Sequence, residues 1–173
     1  MMLKLDINPT VVSSLTSLIK YTRPVWAKSI TPIGVSKESF LEKTIPINHA
    51  VVKDKLDVVK LHNANNIDNN FIHECLEECK SILNASELTN AIMYRPMSEM
   101  PWHTDFENPG TRIYYTFTAG EAIFRYRESS GKIIEDYDNA GWTVRMFKAG
   151  DTDELLWHSV WTEKPRFSFG FKL

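Results

Sequence analysis

From residue 90 to the end, the chain is a succession of short aromatic and β-branched runs, cut at close intervals by turn residues. The runs are "NAIMYR", "PWHTDF", "RIYYTFT", "EAIFRYRE", "WTVRMFK", "DELLWHSVW" and "PRFSFGFKL". Between them stand "ENPG", "AG", "ESSGK", "DNAG", "KAGD" and "TEKP". β-Branched and aromatic side chains suit a pleated, half-buried surface, while Gly, Pro, Asn and Asp supply tight turns. Short strands repeated at regular spacing predict an antiparallel double-sheet core of the sandwich or barrel type.

The first 88 residues follow a different period. In "NPTVVSSLTSLIKYT", Asn8 is a candidate N-cap and Pro9 the first helical residue, with Val12, Leu15, Leu18 and Ile19 on one face. "NIDNNFIHECLEECKSILNAS" repeats the pattern with Ile72, Cys75, Leu76, Cys79, Ile82 and Leu83. "SKESFLEK" predicts a short helix capped by Ser36, and the Pro-interrupted stretch 23–60 around it is a candidate lid. The chain therefore reads as one α+β domain over 1–173, with a mainly helical part (1–88) packed on an antiparallel strand core (89–173).

Composition narrows the function classes. A net charge of −2 and a pI near 6.2 give no global basic signature for nucleic acid. The many aromatics could stack a base, but nucleic acid is not the favoured partner. Two cysteines, Cys75 and Cys79, make no disulfide framework, and "MMLKLDINPT" lacks an apolar signal run. No segment approaches a membrane span, so a cytoplasmic location is expected.

Chemistry concentrates in the strand-rich half. In "PWHTDFENPG", His103 and Asp105 are two apart, and on a strand they would project together. His158 lies in the apolar "LLWHSVW", where an imidazole is otherwise out of place. Two histidines and one carboxylate suit non-haem Fe(II) and leave positions open for a chelating co-substrate and O2. Arg166 and Ser168 in "RFSFGF" again share a face, and a guanidinium fork with a hydroxyl suits a carboxylate. A hairpin through "TEKP" is expected to bring them to the same cavity as His158. Tyr94 could add a phenol from the preceding strand.

The order Tyr94, His103-x-Asp105, His158, Arg166-x-Ser168 resembles the 2-oxoglutarate- and Fe(II)-dependent oxygenase superfamily, in particular its branch of prolyl 4-hydroxylases and alkylated-base demethylases. The likeness covers roughly residues 90 to 173. Tyr94 precedes His103 by nine residues, as is common in that branch. "GEAIFRYRE" and "FKAGDTDELLWHSV" look like its central strand and the turn into the strand of the distal histidine. Met97 stands where the branch often has glycine.

The resemblance implies a double-stranded β-helix (jelly-roll) fold, with His103, Asp105 and His158 as iron ligands. Arg166, supported by Ser168 and Tyr94, would bind the distal carboxylate of 2-oxoglutarate. The implied reaction hydroxylates a substrate C–H bond while 2-oxoglutarate becomes succinate and CO2. The expected substrate is a protein side chain or a small molecule, and the "FENPG" loop offers Phe106, Glu107 and Asn108 as contacts.

Two rival readings use the same residues. A cupin-like metal site would need the triad but not Arg166, and a non-catalytic β-sandwich would need neither. Read singly, His158 is a core histidine, Asp105 a turn cap, and Arg166 a surface partner of Glu163. Chelation by Cys75, Cys79 and His73 is disfavoured, because helical cysteines facing a core behave as small hydrophobes.

Overall fold

A computed structural model describes residues 2–46, 57–62, 67–105, 108–149 and 156–173. Helices α1 (Pro9–Tyr21) and α4 (Asn69–Ile82) form where the apolar period predicts them. Asn8 caps α1, its Oδ1 accepting from Thr10 N at 3.0 Å and Val11 N at 3.3 Å. Asp68 caps α4 through Asn70 N at 2.9 Å. Lys20 and Lys80 sit in the last turns, where the helix dipole favours cations. A short α2 (Arg23–Trp26) runs into a 3-10 turn, and α3 (Lys37–Leu41) is capped by Ser36.

Among the described residues, ten strands form two antiparallel sheets. They are β1 (Met2–Leu5), β2 (Val58–Lys60), β3 (Glu87–Tyr94), β4 (Ser98–His103), β5 (Gly110–Thr118), β6 (Ala122–Arg127), β7 (Ile133–Asp138), β8 (Gly141–Ala149), β9 (His158–Thr162) and β10 (Arg166–Lys172). The larger sheet has the order β1-β8-β5-β10-β3-β2 and the smaller β4-β9-β6-β7. From β3 onward every connection except β6–β7 crosses from one sheet to the other.

This crossing corrects one expectation. "TEKP" does not close a hairpin, since β9 and β10 lie in opposite sheets. The N-terminal part also contributes β1, paired with β8, and β2, paired with β3.

Alternation along the large sheet separates two environments. Ile113, Tyr115, Phe167, Phe169 and Phe171 point outward and form the main core with Val11, Leu15, Leu18, Ile72, Leu76 and Cys79 of α1 and α4. Both cysteines are free and buried. Burial pushes the Cys79 thiol up to about 12, so it packs as an inert hydrophobe. The intervening residues face the smaller sheet. There Ile92, Phe124, Phe147 and Val160 form a second apolar cluster under a polar cavity.

The expected lid is in part a strap. Residues 33–43 lie on the outer face of the small sheet and away from the cavity. The indole N–H groups of Trp161 and Trp102 donate to Val35 O at 2.8 Å and Lys43 O at 3.1 Å. Arg125 Nη1 donates to Phe40 O at 3.0 Å, with its guanidinium over the Phe40 and Trp102 rings. Met97 has a φ of 49°, in the left-handed region that favours glycine. That conformation costs a non-glycine residue about 1–2 kcal/mol. The strap offsets it, because Met97 O accepts from Gly34 N at 3.1 Å and Val35 N at 2.8 Å.

Candidate functional site

His103 and His158 are direct cross-strand partners at the end of the small sheet. Their rings lie 4.1 Å apart between centroids. A register shift between Met100 and His103 twists β4 there. β4 ends at His103, so Asp105 is not on the strand as the sequence pattern suggested. It lies just beyond the strand end, where its carbonyl accepts from Asn108 N at 3.3 Å, and still stands beside the histidines. The ligand atoms of His103, Asp105 and His158 all lie within 4.8 Å of one another, and Asp105 Oδ2 is 3.9 Å from His158 Nε2.

The surroundings orient these groups. His103 Nδ1 is 2.8 Å from Pro101 O, and His158 Nδ1 is 3.1 Å from Leu156 O. A carbonyl can only accept, so each Nδ1 carries its hydrogen and each Nε2 keeps a free lone pair, as metal-ligating histidines require. Phe124 stacks on His158 at 5.5 Å and Phe147 flanks it at 5.4 Å. Burial in this shell, with His103 beside it, pushes the His158 imidazole down to about 4. Burial also lowers His103, against the pull of Asp105. Burial alone would raise the Asp105 carboxyl, but His158, Arg112 and His103 outweigh it and hold it below the usual range. At neutral pH the three groups are thus two neutral imidazoles and one carboxylate, the donor set of a mononuclear Fe(II) site.

The cavity above them measures about 400 Å³ and is lined by both sheets. Arg166 and Ser168 of β10 and Tyr94 of β3 lie in it, all buried. The Arg166 guanidinium lies over the Tyr94 ring, 5.2 Å from its centre. Arg166 makes no surface pair with Glu163, whose Oε2 accepts from Glu121 N at 3.3 Å. Asn108 also lines the cavity, but its side chain is tied to Glu87 and Lys172. Phe106 and Glu107 lie outside the described residues.

Three cavity residues escaped the sequence reading. Arg112 Nη1 lies 3.3 Å from Asp105 Oδ2, and the Tyr114 hydroxyl donates to the same oxygen at 3.5 Å. Arg145 is gripped by Asp136 and Asp138 across the sheets, with contacts of 2.6 to 3.0 Å. The signal for Arg112 and Tyr114 was present: in "RIYYTFT" they share a face with Thr116. Arg145 is a cation inside the apolar run "WTVRMFK", out of place there as His158 is in its own strand.

No protein-family model matches the chain, and no curated protein sequence matches it. Solved structures do. A prolyl hydroxylase from Trichoplax adhaerens, in complex with a hypoxia inducible factor oxygen degradation domain peptide fragment, superposes with a TM-score of 0.52 at 9% identity. The match covers 99% of this chain and 81% of that one. A Pseudomonas putida prolyl-4-hydroxylase gives a TM-score of 0.49 at 12% identity, over 99% of this chain and 91% of that one. At such identity the Trichoplax likeness establishes the fold: two antiparallel sheets with few helices, as in prolyl hydroxylases.

Proposed function

We propose that this protein is an Fe(II)- and 2-oxoglutarate-dependent dioxygenase built as a single domain on a double-stranded β-helix (jelly-roll) core. The observation that carries the reading is one cavity holding two complementary sets. His103, Asp105 and His158 converge on one side of it, and Arg166, Ser168 and Tyr94 line the other. A metal site alone has no need for a buried guanidinium fork, so the second set favours this reading over a cupin-like metal binder. A cavity of about 400 Å³ falls within the roughly 300–1,000 Å³ typical of small-molecule sites.

In this reading His103, Asp105 and His158 hold iron and Arg166 takes the distal carboxylate of 2-oxoglutarate, with Ser168 and Tyr94 in support. Iron with chelated 2-oxoglutarate supplies the oxidising chemistry, in which substrate C–H, O2 and 2-oxoglutarate become substrate C–OH, succinate and CO2. The chain's own work is orientation and exclusion of water. Leu156 O and Pro101 O fix the imidazole tautomers. Tyr114 and Arg112 hold one oxygen of Asp105, and Phe124, Phe147 and Val160 keep the site dry. The substrate is a protein side chain or a small molecule, and the peptide seen with the Trichoplax enzyme favours the former. Free buried thiols, and the lack among the described residues of any helix long and apolar enough to cross a membrane, suit a cytoplasmic enzyme.

The test is anaerobic. Protein mixed with Fe(II) and 2-oxoglutarate is expected to show the weak visible charge-transfer band of chelated iron. His158→Ala should lose the band, and Arg166→Ala should require far more 2-oxoglutarate to reach it. No band from the wild type at saturating iron and 2-oxoglutarate would overturn the reading.

A further inference from the structure

Met100 and His103 both line the cavity, although they stand an odd number of residues apart on β4. Side chains on a strand alternate, so an even spacing shares a face and an odd spacing does not. The register resolves the conflict. Met100 pairs with Val160 and His103 with His158, so β4 takes three steps where β9 takes two. The extra residue makes a β-bulge at Pro101–Trp102, and strict alternation would point His103 away from His158. Pro101 suits the place, since β4 is an edge strand and a bulge needs no ladder donor there. Its carbonyl oxygen lies 2.8 Å from His103 Nδ1.

A bulge interrupts the ladder that would otherwise hold an edge strand, and this one is pinned from the strap side of the small sheet. Trp102 is only 4% exposed, and its indole N–H donates to Lys43 O at 3.1 Å. Lys43 O also accepts from Arg125 Nη1 at 3.2 Å, and the Arg125 guanidinium lies 5.1 Å from the Trp102 ring centre. The same Nη1 reaches Phe40 O at 3.0 Å. One buried cation thus joins β6, the strap and the bulge. We infer that Trp102 is a positioning residue for His103. Held by Arg125 and the strap, it fixes the bulge that aims His103 into the cavity and sets Pro101 O against its Nδ1. For metal binding this rests on the function proposed above. Trp161 is the matched comparison. It is 3% exposed and gives its indole N–H to the same strap, at Val35 O. It sits, however, in regular ladder, paired with Glu99 and Ile123.

The experiment sets Trp102→Phe against Trp161→Phe. Each removes one indole N–H from the strap and shrinks one buried ring, so urea unfolding should show similar losses. Histidine nitrogen NMR of the metal-free protein reads the tautomers. In the wild type, His103 and His158 should both carry the hydrogen on Nδ1. Trp102→Phe should move His103 toward the Nε2–H form and leave His158 unchanged, while Trp161→Phe should leave both. Calorimetry with Mn(II), a redox-silent stand-in for iron, reads the consequence. The wild type is titrated with Mn(II) and then with 2-oxoglutarate, which tests the proposed function by itself. Trp102→Phe should bind Mn(II) at least ten-fold more weakly, and Trp161→Phe as tightly as the wild type.

A wild-type His103 tautomer together with wild-type Mn(II) affinity in Trp102→Phe would overturn the inference. Equal losses of affinity from the two variants would also overturn it, since any loosening of the strap would then do the same. If the wild type binds no Mn(II), the proposed function falls, and the His103 tautomer still decides whether Trp102 positions that ring. Arg125→Lys withdraws the guanidinium from Lys43 O and keeps both tryptophans. It should shift the His103 tautomer in the same direction and weaken Mn(II) several-fold, and it decides the matter if Trp102→Phe does not fold.

Discussion

The two faces of the six-stranded sheet are made by the same strands and have opposite characters. On β10, Phe167, Phe169 and Phe171 point to the helices, while Arg166, Ser168 and Gly170 point to the cavity. On β5, Ile113 and Tyr115 alternate with Arg112, Tyr114 and Thr116 in the same way. The outer face has one requirement, to fit α1 and α4 without voids. The inner face must present particular donors at particular places, and it buries charges that need partners. Stability should therefore depend chiefly on the outer face and ligand binding on the inner one, except where an inner charge is itself part of the frame.

The strongest way to break this comparison is Phe169→Ala. Phe169 is fully buried in the outer core. Emptying such a site costs about 3–5 kcal/mol. Urea unfolding should show that loss, while folded protein keeps its metal and 2-oxoglutarate affinity. A variant of wild-type stability with lost binding would mean that the faces do not divide the work.

The exception on the inner face is Arg145, which ties β8 to β7 through Asp136 and Asp138. Arg145→Met leaves two carboxylates short of a partner, although Lys4 still lies 2.6 Å from Asp136. Breaking a buried pair costs about 3–5 kcal/mol, and the remaining lysine places this loss near the lower end.

The pH dependence has a definite sign. Burial raises the Asp138 carboxyl, but its bonds to Arg145 outweigh that and hold it below its ordinary value. A depressed carboxylate stabilises the fold above its unfolded pKa of about 3.9 and ceases to do so as pH falls through the folded value. The stability gap between wild type and Arg145→Met should therefore be full at pH 7 and shrink below about pH 4. A gap that grows on acidification would show that Asp138 is not the group responsible.

Legibility followed the same division. Alternation, helical period and turn residues are local, and they located α1, α3, α4 and seven of the strands. The strands missed were edge strands too short or too acidic to show a pattern: β1 and β2 are four and three residues long, and β7 reads "IIEDYD". Which strands pair is not local. "TEKP" looks like any hairpin turn, yet it spans two sheets, because β9 and β10 each find better partners elsewhere. Arg166 still reaches the cavity of His158, by facing it across the molecule and not by lying beside it. His103, His158, Arg166 and Ser168 were legible as polar residues in apolar strands. Arg112 and Tyr114 were not picked out, since nothing in one strand says which of its two faces will be the wet one.

Gly170 sharpens the comparison at the point where the inner face is most crowded. It has no need of an unusual backbone; it is small because Tyr114 lies across it. A Cβ there would stand 2.5 Å from Tyr114 Cε1 and 2.4 Å from Thr89 Oγ1. Gly170→Ala must displace both, and overpacking of this kind costs about 1–3 kcal/mol. Because Tyr114 also touches Asp105, the variant should lose metal affinity along with stability, as no outer-face variant would. Thermal unfolding with and without Mn(II) separates the two. Undiminished stabilisation by the metal would show that Tyr114 does not help to hold Asp105.

The finest test is Ser168→Ala, one residue from Phe169 and on the other face. Ser168 is buried, yet the change removes a single oxygen and leaves no charge without a partner. Its effect on unfolding should stay under about 1 kcal/mol, as for an ordinary hydrogen-bonding hydroxyl. In the proposed site the same hydroxyl helps Arg166 hold a carboxylate. Its loss should weaken 2-oxoglutarate about ten-fold, or about 1.4 kcal/mol, in the Mn(II) titration. Neighbouring residues would then have opposite profiles: Phe169 large in stability and silent in binding, Ser168 the reverse. If Ser168→Ala instead destabilised the fold and left 2-oxoglutarate affinity intact, the inner face would be a second core with a polar accent, and Arg166 would be a structural cation like Arg145.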